Sequence, residues 1–218
     1  MKNLNFIPVL LALLLLLIAG VLHANDDKYV EAMKKNIELL NDATSAEDFQ
    51  SAVNAFERIA QKETDKWEPL YYAAYGTLIT AIKEQDATKK DALLDKALAS
   101  AQKAAGVKPN ESEIVALIGF VHMIRVTVDP ASRGQQYSGM AFQEFSKAVK
   151  LNPENPRALS LLSQMQYGTA KFFGSSTDEA CATNTAAIAK FDTHTSEDPL
   201  APTWGKDMTK QMETACKK

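Results

Sequence analysis

The chain has 218 residues, 46% hydrophobic and 23% charged, with a formal net charge of −3. That balance suits one domain with a substantial core and is foreign to disordered or fibrous chains. No Lys/Arg cluster forms a stripe, so the sequence argues against a nucleic-acid partner.

The first segment differs from the rest. Lys2 gives a short basic start, and Phe6 to Leu22 is almost wholly apolar, with an unbroken leucine run from Leu13 to Leu17. Ala24 then precedes the polar run Asn25-Asp26-Asp27. This reads as a secretory signal peptide over residues 1–24, cut after Ala24. The rival reading is an uncleaved inner-membrane anchor over residues 6–22, since a spanning helix needs roughly 17–25 apolar residues. Either reading puts one helical domain, residues 26–218, outside the cytoplasm, periplasmic or secreted. A membrane association is expected only if the segment is retained.

The remainder reads as helix after helix, with apolar residues at three- and four-residue spacing. The first helix covers Tyr29 to Leu40. Thr44-x-x-Glu47 and Ser45-x-x-Asp48 then offer overlapping capping boxes for a second helix that runs to about Lys62. The third covers Trp67 to Lys83, with Pro69 in its first turn. The fourth covers Lys89 to Ala105, and the fifth Ser112 to Val126, broken by Asp129-Pro130. The sixth covers Ser138 to Leu151, the seventh Arg157 to Phe172, and the eighth follows caps at Ser175 and Ser176. After a linker with two prolines, a last helix from Thr203 to Lys217 carries Trp204, Met208 and Met212 as one apolar stripe, expected to close the end of the stack.

A pattern recurs in the second helix of each pair. Ala141, Phe145, Ala148 and Pro153 have the same offsets as Ala97, Ala101, Ala104 and Pro109; Ala52, Phe56 and Ile59 match without the proline. Subtraction gives 45 residues from Ile59 to Ala104 and 44 from Ala104 to Ala148. A fixed period of this length means stacked supersecondary units. The pattern resembles the second helix and exit turn of a tetratricopeptide repeat. Val115, Ile118 and Gly119, Leu159, Leu162 and Ser163, and Leu70, Ala73 and Ala74 resemble the first helix, whose small residue lets neighbours approach. HEAT and armadillo arrays have a similar period, but the Ala/Phe/Pro helix favours the tetratricopeptide type.

The resemblance implies an all-α solenoid of stacked antiparallel hairpins, about three and a half units with a C-terminal capping helix. Gly119 to Ala141 is 22 residues and Ala74 to Ala97 is 23. That is about ten more than a repeat of roughly 34 residues holds, so lengthened loops inside each repeat are expected. Pro130 to Tyr137, Lys171 to Ala180 and Pro202 to Lys206 also resemble exported tetratricopeptide-like proteins of Gram-negative bacteria. That resemblance implies location and fold, with no chemistry attached.

The inserted turns, about Glu84 to Lys89, Thr127 to Ser138 and Phe173 to Thr177, are expected to form a rim beside the concave face, where recognition residues usually sit. Arg133, Gln135, Gln136 and Tyr137 are the richest candidates, with Phe172 and Phe173 at the neighbouring turn. The bland reading pairs Arg133 with a nearby carboxylate and uses the phenylalanines to seal the stack. Tyr75, His122, Arg125 and Tyr167 are candidates to line the concave face, against core packing for the tyrosine and an interior site for His122. Cys181 and Cys216, 35 residues apart, are either a disulfide of an oxidising compartment or two half-buried thiols. No HExxH, GxSxG, P-loop or GxGxxG is present. No catalytic residue, metal or cofactor is assigned. The expected function is binding of a protein or peptide partner through the concave face and rim; a small-ligand carrier enclosed by the inserted loops is the alternative.

Overall fold

The computed structural model describes residues 26–193 and 195–217. The expected signal peptide or anchor lies outside the described residues. Among the described residues nine helices follow in order: α1 (26–41), α2 (Ala46–Lys62), α3 (Glu68–Lys83), α4 (Ala87–Val107), α5 (Ser112–Val126), α6 (Pro130–Leu151), α7 (Pro156–Phe173), α8 (Asp178–Thr193) and α9 (Lys206–Cys216). The same residues contain no strand. The helices alternate in direction. Hairpins α3/α4, α5/α6 and α7/α8 stack in sequence, preceded by α1 and α2 and followed by α9.

The repeat seam is the core. Ala97, Ala101 and Ala104 on α4 and Ala141, Phe145 and Ala148 on α6 are all fully buried. The small residues of the first helices matter where phenylalanine enters. A Cβ on Gly119 would lie 2.6 Å from Cε1 of Phe145, so α5 and α6 approach as closely as glycine allows. On α3, Gly76 has the same duty: a Cβ there would meet Val53 at 2.8 Å and Leu40 at 3.0 Å.

Helix starts follow local chemistry. Of the two overlapping capping boxes, that of Ser45 and Asp48 forms, with reciprocal bonds of 3.1 Å. The backbone N–H of Asp178 donates to the Ser176 hydroxyl at 3.1 Å at the start of α8.

The ten extra residues per repeat are helical, which corrects the expectation of lengthened loops. The connectors inside the pairs are short, at 84–86, 127–129 and 174–177. α6 begins at Pro130 instead of Ser138 because Asp129-Pro130 stops one helix and starts the next. Asp129 caps the Ser132 N–H at 3.2 Å, and Pro130 occupies the first turn, where no donor is needed. Gly134 and Gly139 weaken the new turns, and tertiary contacts of Arg133 and Tyr137 hold them.

The C-terminal segment also departs from expectation. α9 starts at Lys206, and residues 195–205 form an irregular strap across the inner face made by α3, α5 and α7. Leu200 is buried, and its carbonyl accepts the Tyr72 hydroxyl at 2.8 Å. The strap turns into α9 at Gly205, whose φ of 107° lies in the left-handed region. A side chain there would also meet Phe191 at 3.0 Å and Arg157 at 3.2 Å. α9 then docks on α7 and α8, where the Ser160 and Thr209 hydroxyls share a bond of 2.6 Å. The Asn184 side chain donates to the Thr209 carbonyl at 3.1 Å. Cys181 and Cys216 form a disulfide with Cα atoms 5.7 Å apart, fixing the end of α9 to α8.

Candidate functional site

Tyr71, Tyr75, Ile79 and Ile82 fall on one stripe of α3, because residues four or three apart share a helix face. Tyr71 is fully buried at the base, and Ile82 is exposed at the other end. Phe120 comes from α5. Trp204, on the strap, lies between them. Its indole stacks on Tyr75 at 4.8 Å and 13°, and on Phe120 at 5.9 Å and 29°.

A buried polar network fixes that indole. Trp204 Nε1–H donates to the Tyr71 hydroxyl at 3.0 Å, and Tyr71 donates to Glu113 at 3.4 Å. Glu113 in turn receives Nε–H and Nη2–H of Arg157 in a fork of 2.8–2.9 Å bonds. Arg157 sits with its guanidinium about 6.0 Å from the rings of both Trp204 and Phe191. Such a pair, deep inside, survives because both ions are hydrogen-bonded as well as paired. Burial pushes the Tyr71, Tyr72 and Tyr75 phenols well above their ordinary range, so all three are neutral at pH 7.

Beside the Trp204 ring the inner face keeps a notch of about 370 Å³, bounded by Tyr75, Ile79, Ile82, Phe120, Trp204 and Met208. Lys206 and Asp207 stand at its edge, with Lys206 paired to Asp192 at 2.9 Å. The notch is aromatic and aliphatic on its walls, with Thr203, Lys206 and Asp207 among its lining, and it opens to solvent.

The other candidates from the sequence separate into two places. Arg133 donates from Nη1 to both oxygens of Asp91 at 2.7 Å, the bland pairing. Arg125 is buried and donates to Asp95 at 2.6 Å, with its guanidinium 5.5 Å from the Tyr137 ring centre. Tyr137 stacks on His122 at 6.1 Å. Burial, then the nearby Arg125 charge, lowers the His122 pKa. His122 therefore packs inside against Tyr137 of α6, the interior alternative given for it, while Arg125 faces Asp95 of α4 and does not line the notch, which corrects its candidate position on the concave face. The polarity of α5 changes side within one turn, and helical spacing alone did not say which side faced inward. Gln135 and Gln136 are exposed on the first turns of α6. Tyr167 is half-buried on α7 outside the notch lining.

Phe172 and Phe173 do not seal the stack. They are 83% and 74% exposed and meet edge to face at 5.0 Å. A turn back along α7, Leu162, Gln166, Thr169 and Ala170 line a second groove of about 550 Å³, with Phe142 on α6 and Ser175, Ser176 and Glu179 opposite.

Sequence reasoning placed Tyr75 and missed Ile79, Ile82, Phe120, Trp204 and Met208 as a set. On α3 only Tyr75 was legible as a candidate. The position of Trp204 was not, because it depends on a strap that returns across 128 residues of sequence to meet α3.

The chain is thus a tetratricopeptide-repeat-like helical stack whose inner face is part-filled by its own C-terminal strap. No protein-family model matches the sequence, and no curated protein matches it. Among solved structures, it is similar to the HusA haemophore from Porphyromonas gingivalis, at 28% identity and a TM-score of 0.78, over 87% of this chain and 92% of that one. It also shares its fold with TTC0263, a thermophilic tetratricopeptide-repeat protein of Thermus thermophilus, at 18% identity and a TM-score of 0.58, over 76% of this chain and 75% of that one. Among the described residues, no helix is long and apolar enough to cross a membrane.

Proposed function

We propose that the protein is an exported carrier that holds a flat, largely apolar small molecule of the porphyrin class in the inner-face notch. The observation that carries this reading is the aromatic wall: Tyr75, Trp204 and Phe120 form a stack of nearly parallel rings bordering a largely apolar space of about 370 Å³. That volume lies at the lower end for ligand sites, so a macrocycle would be gripped on one side and leave an edge in solvent. The similarity to a haemophore along nearly the whole of both chains supports it. The apolar run at Phe6 to Leu22 supports export. A groove for an extended peptide, the other function expected from sequence, has less room here, because residues 195–205 lie where such a segment would run.

Titration with hemin and with metal-free protoporphyrin, read by the Soret band and by quenching of tryptophan emission, tests the reading. Saturable binding with a Kd of about 1 µM or tighter is expected. Ile82→Asp, a change at the exposed end of the notch, is expected to weaken both ligands by at least about tenfold, since a carboxylate would be desolvated against the ring. No saturable binding of either porphyrin would overturn it.

A second reading, docking of a partner protein, is favoured by one observation: the exposed Phe172–Phe173 pair one turn beyond the α6/α8 groove. Envelope proteins crosslinked to the native chain but lost with Phe172→Ser and Phe173→Ser together would support it, and porphyrin binding would be unchanged in that variant. Recovery of the same envelope proteins by the variant would contradict it.

A further inference from the structure

Phe172 and Phe173 are the most exposed large apolar side chains among the described residues; Leu39, Ile82, Met140 and Leu151 follow at 37–51%. The pair stands at the end of α7, on the tip of the α7/α8 hairpin. Leu162, Gln166, Ala170 and Phe173 fall four or three residues apart, so they share one stripe of that helix. The first three line the second groove, and Phe173 continues the stripe past its end. Two projecting rings and a recess of about 550 Å³ therefore lie side by side on one surface. Apolar surface gathered in this way marks a contact.

We propose that the groove takes the Phe172–Phe173 pair of a second copy of this chain, the two copies meeting about a two-fold axis; the assignment rests on the second reading above, that the pair is a docking surface. A two-fold interface uses the same patch twice, so it needs projection and recess on one face. Here Gln166, in the recess, and Phe173 are seven residues apart by subtraction on a single helix. That is roughly 10 Å at the helical rise of about 1.5 Å per residue. The axis then passes near Ala170. The two α7 helices cross antiparallel there, with a small side chain at the crossing.

The area fits a reversible dimer. At 83% and 74% exposure the two rings offer about 300 Å², taking roughly 200 Å² for a phenylalanine. Two such pairs and the groove walls they cover bury on the order of 1,200 Å², the low end of specific interfaces, so a micromolar affinity is expected. Charge complements the fit. Lys171 precedes the pair, and Glu179 stands on the groove wall. Among the described residues neither forms an ion pair. Glu179 accepts the Gln166 amide at 3.0 Å. Entry of the rings into the facing groove brings Lys171 of each copy to Glu179 of the other.

Sedimentation velocity of the purified native protein between about 1 and 100 µM tests the assignment. A concentration-dependent dimer is expected. Phe172→Ser with Phe173→Ser is expected to stay monomeric over that range. Lys171→Glu and Glu179→Lys, both at exposed positions, are each expected to weaken self-association by at least about tenfold, since like charges then face each other. Mixed in equal amounts, these two variants are expected to recover a mixed dimer, because every contact across the axis again joins a lysine to a glutamate. A contact within one chain would not respond to mixing. A native protein that stays monomeric, a dimer untouched by the serine pair, or a mixture that stays monomeric would overturn the assignment. A native monomer that still crosslinks envelope proteins through Phe172 and Phe173 would give the groove to a different protein and leave the docking reading standing. Binding of that monomer to phosphatidylcholine vesicles through the same pair would give it to lipid instead. A native monomer whose crosslinked envelope proteins are all kept by the serine variant would overturn both.

Discussion

At the scale of single residues, closeness of backbones decides more than helix propensity. Gly119 sits mid-helix, where alanine is normally preferred by about 1 kcal/mol. Here the new methyl would stand 2.6–2.7 Å from two atoms of the buried Phe145 ring and 3.1 Å from Cβ of Glu144. Two of these contacts are with a fully buried side chain that has nowhere to go. Gly119→Ala is therefore expected to destabilise by about 1–3 kcal/mol, the usual cost of overpacking. Gly168→Ala is the internal control, since nothing lies within 4 Å of its would-be Cβ. That change is expected to stabilise by roughly 0.5–1 kcal/mol. Urea unfolding of both checks the pair. Stabilisation by Gly119→Ala would show that α5 and α6 do not meet as closely as described.

At the scale of elements, α9 and its strap behave as one device with two fastenings. At one end the strap is held by Tyr72 to Leu200 and by the Trp204–Tyr71–Glu113–Arg157 chain. At the other end α9 is held by the disulfide to α8, which closes a loop over a separation of 35 residues. In the chain-entropy account a loop of that size contributes about 3–4 kcal/mol. Cys181→Ser with Cys216→Ser is expected to lower stability by that order and to weaken porphyrin binding, because Trp204 is positioned by the segment that α9 anchors. Denaturant midpoints and a porphyrin titration measure the two effects. Equal midpoints with and without the bond would contradict the first, and unchanged affinity the second.

At the scale of the molecule, the sequence carried the repeat and lost the strap. The alanine-phenylalanine seam was legible because a stacked fold repeats its closest contacts at a fixed period, and Ala97, Ala104, Ala141 and Ala148 are all fully buried. The extra residues of each repeat were legible as a number but not as a conformation. Asp129-Pro130 is both a good stop and a good start, and only the pairing of Arg133 with Asp91 settles which side of it is helical. The notch was legible only in part: Tyr75 stood among the candidates and Trp204 read as part of a terminal stripe, whereas nothing singled out Phe120, Ile79 or Ile82. The Arg157–Glu113 pair was not legible, since nothing local marks a charge that is neutralised 44 positions away.

The most direct test of the carrier account is a crystal structure of the native protein grown with metal-free protoporphyrin. The expected result is planar density against Tyr75, Ile79, Phe120 and Trp204 on the inner face. Density confined to the groove between α6 and α8, or its absence from a protein saturated with the ligand, would contradict the account.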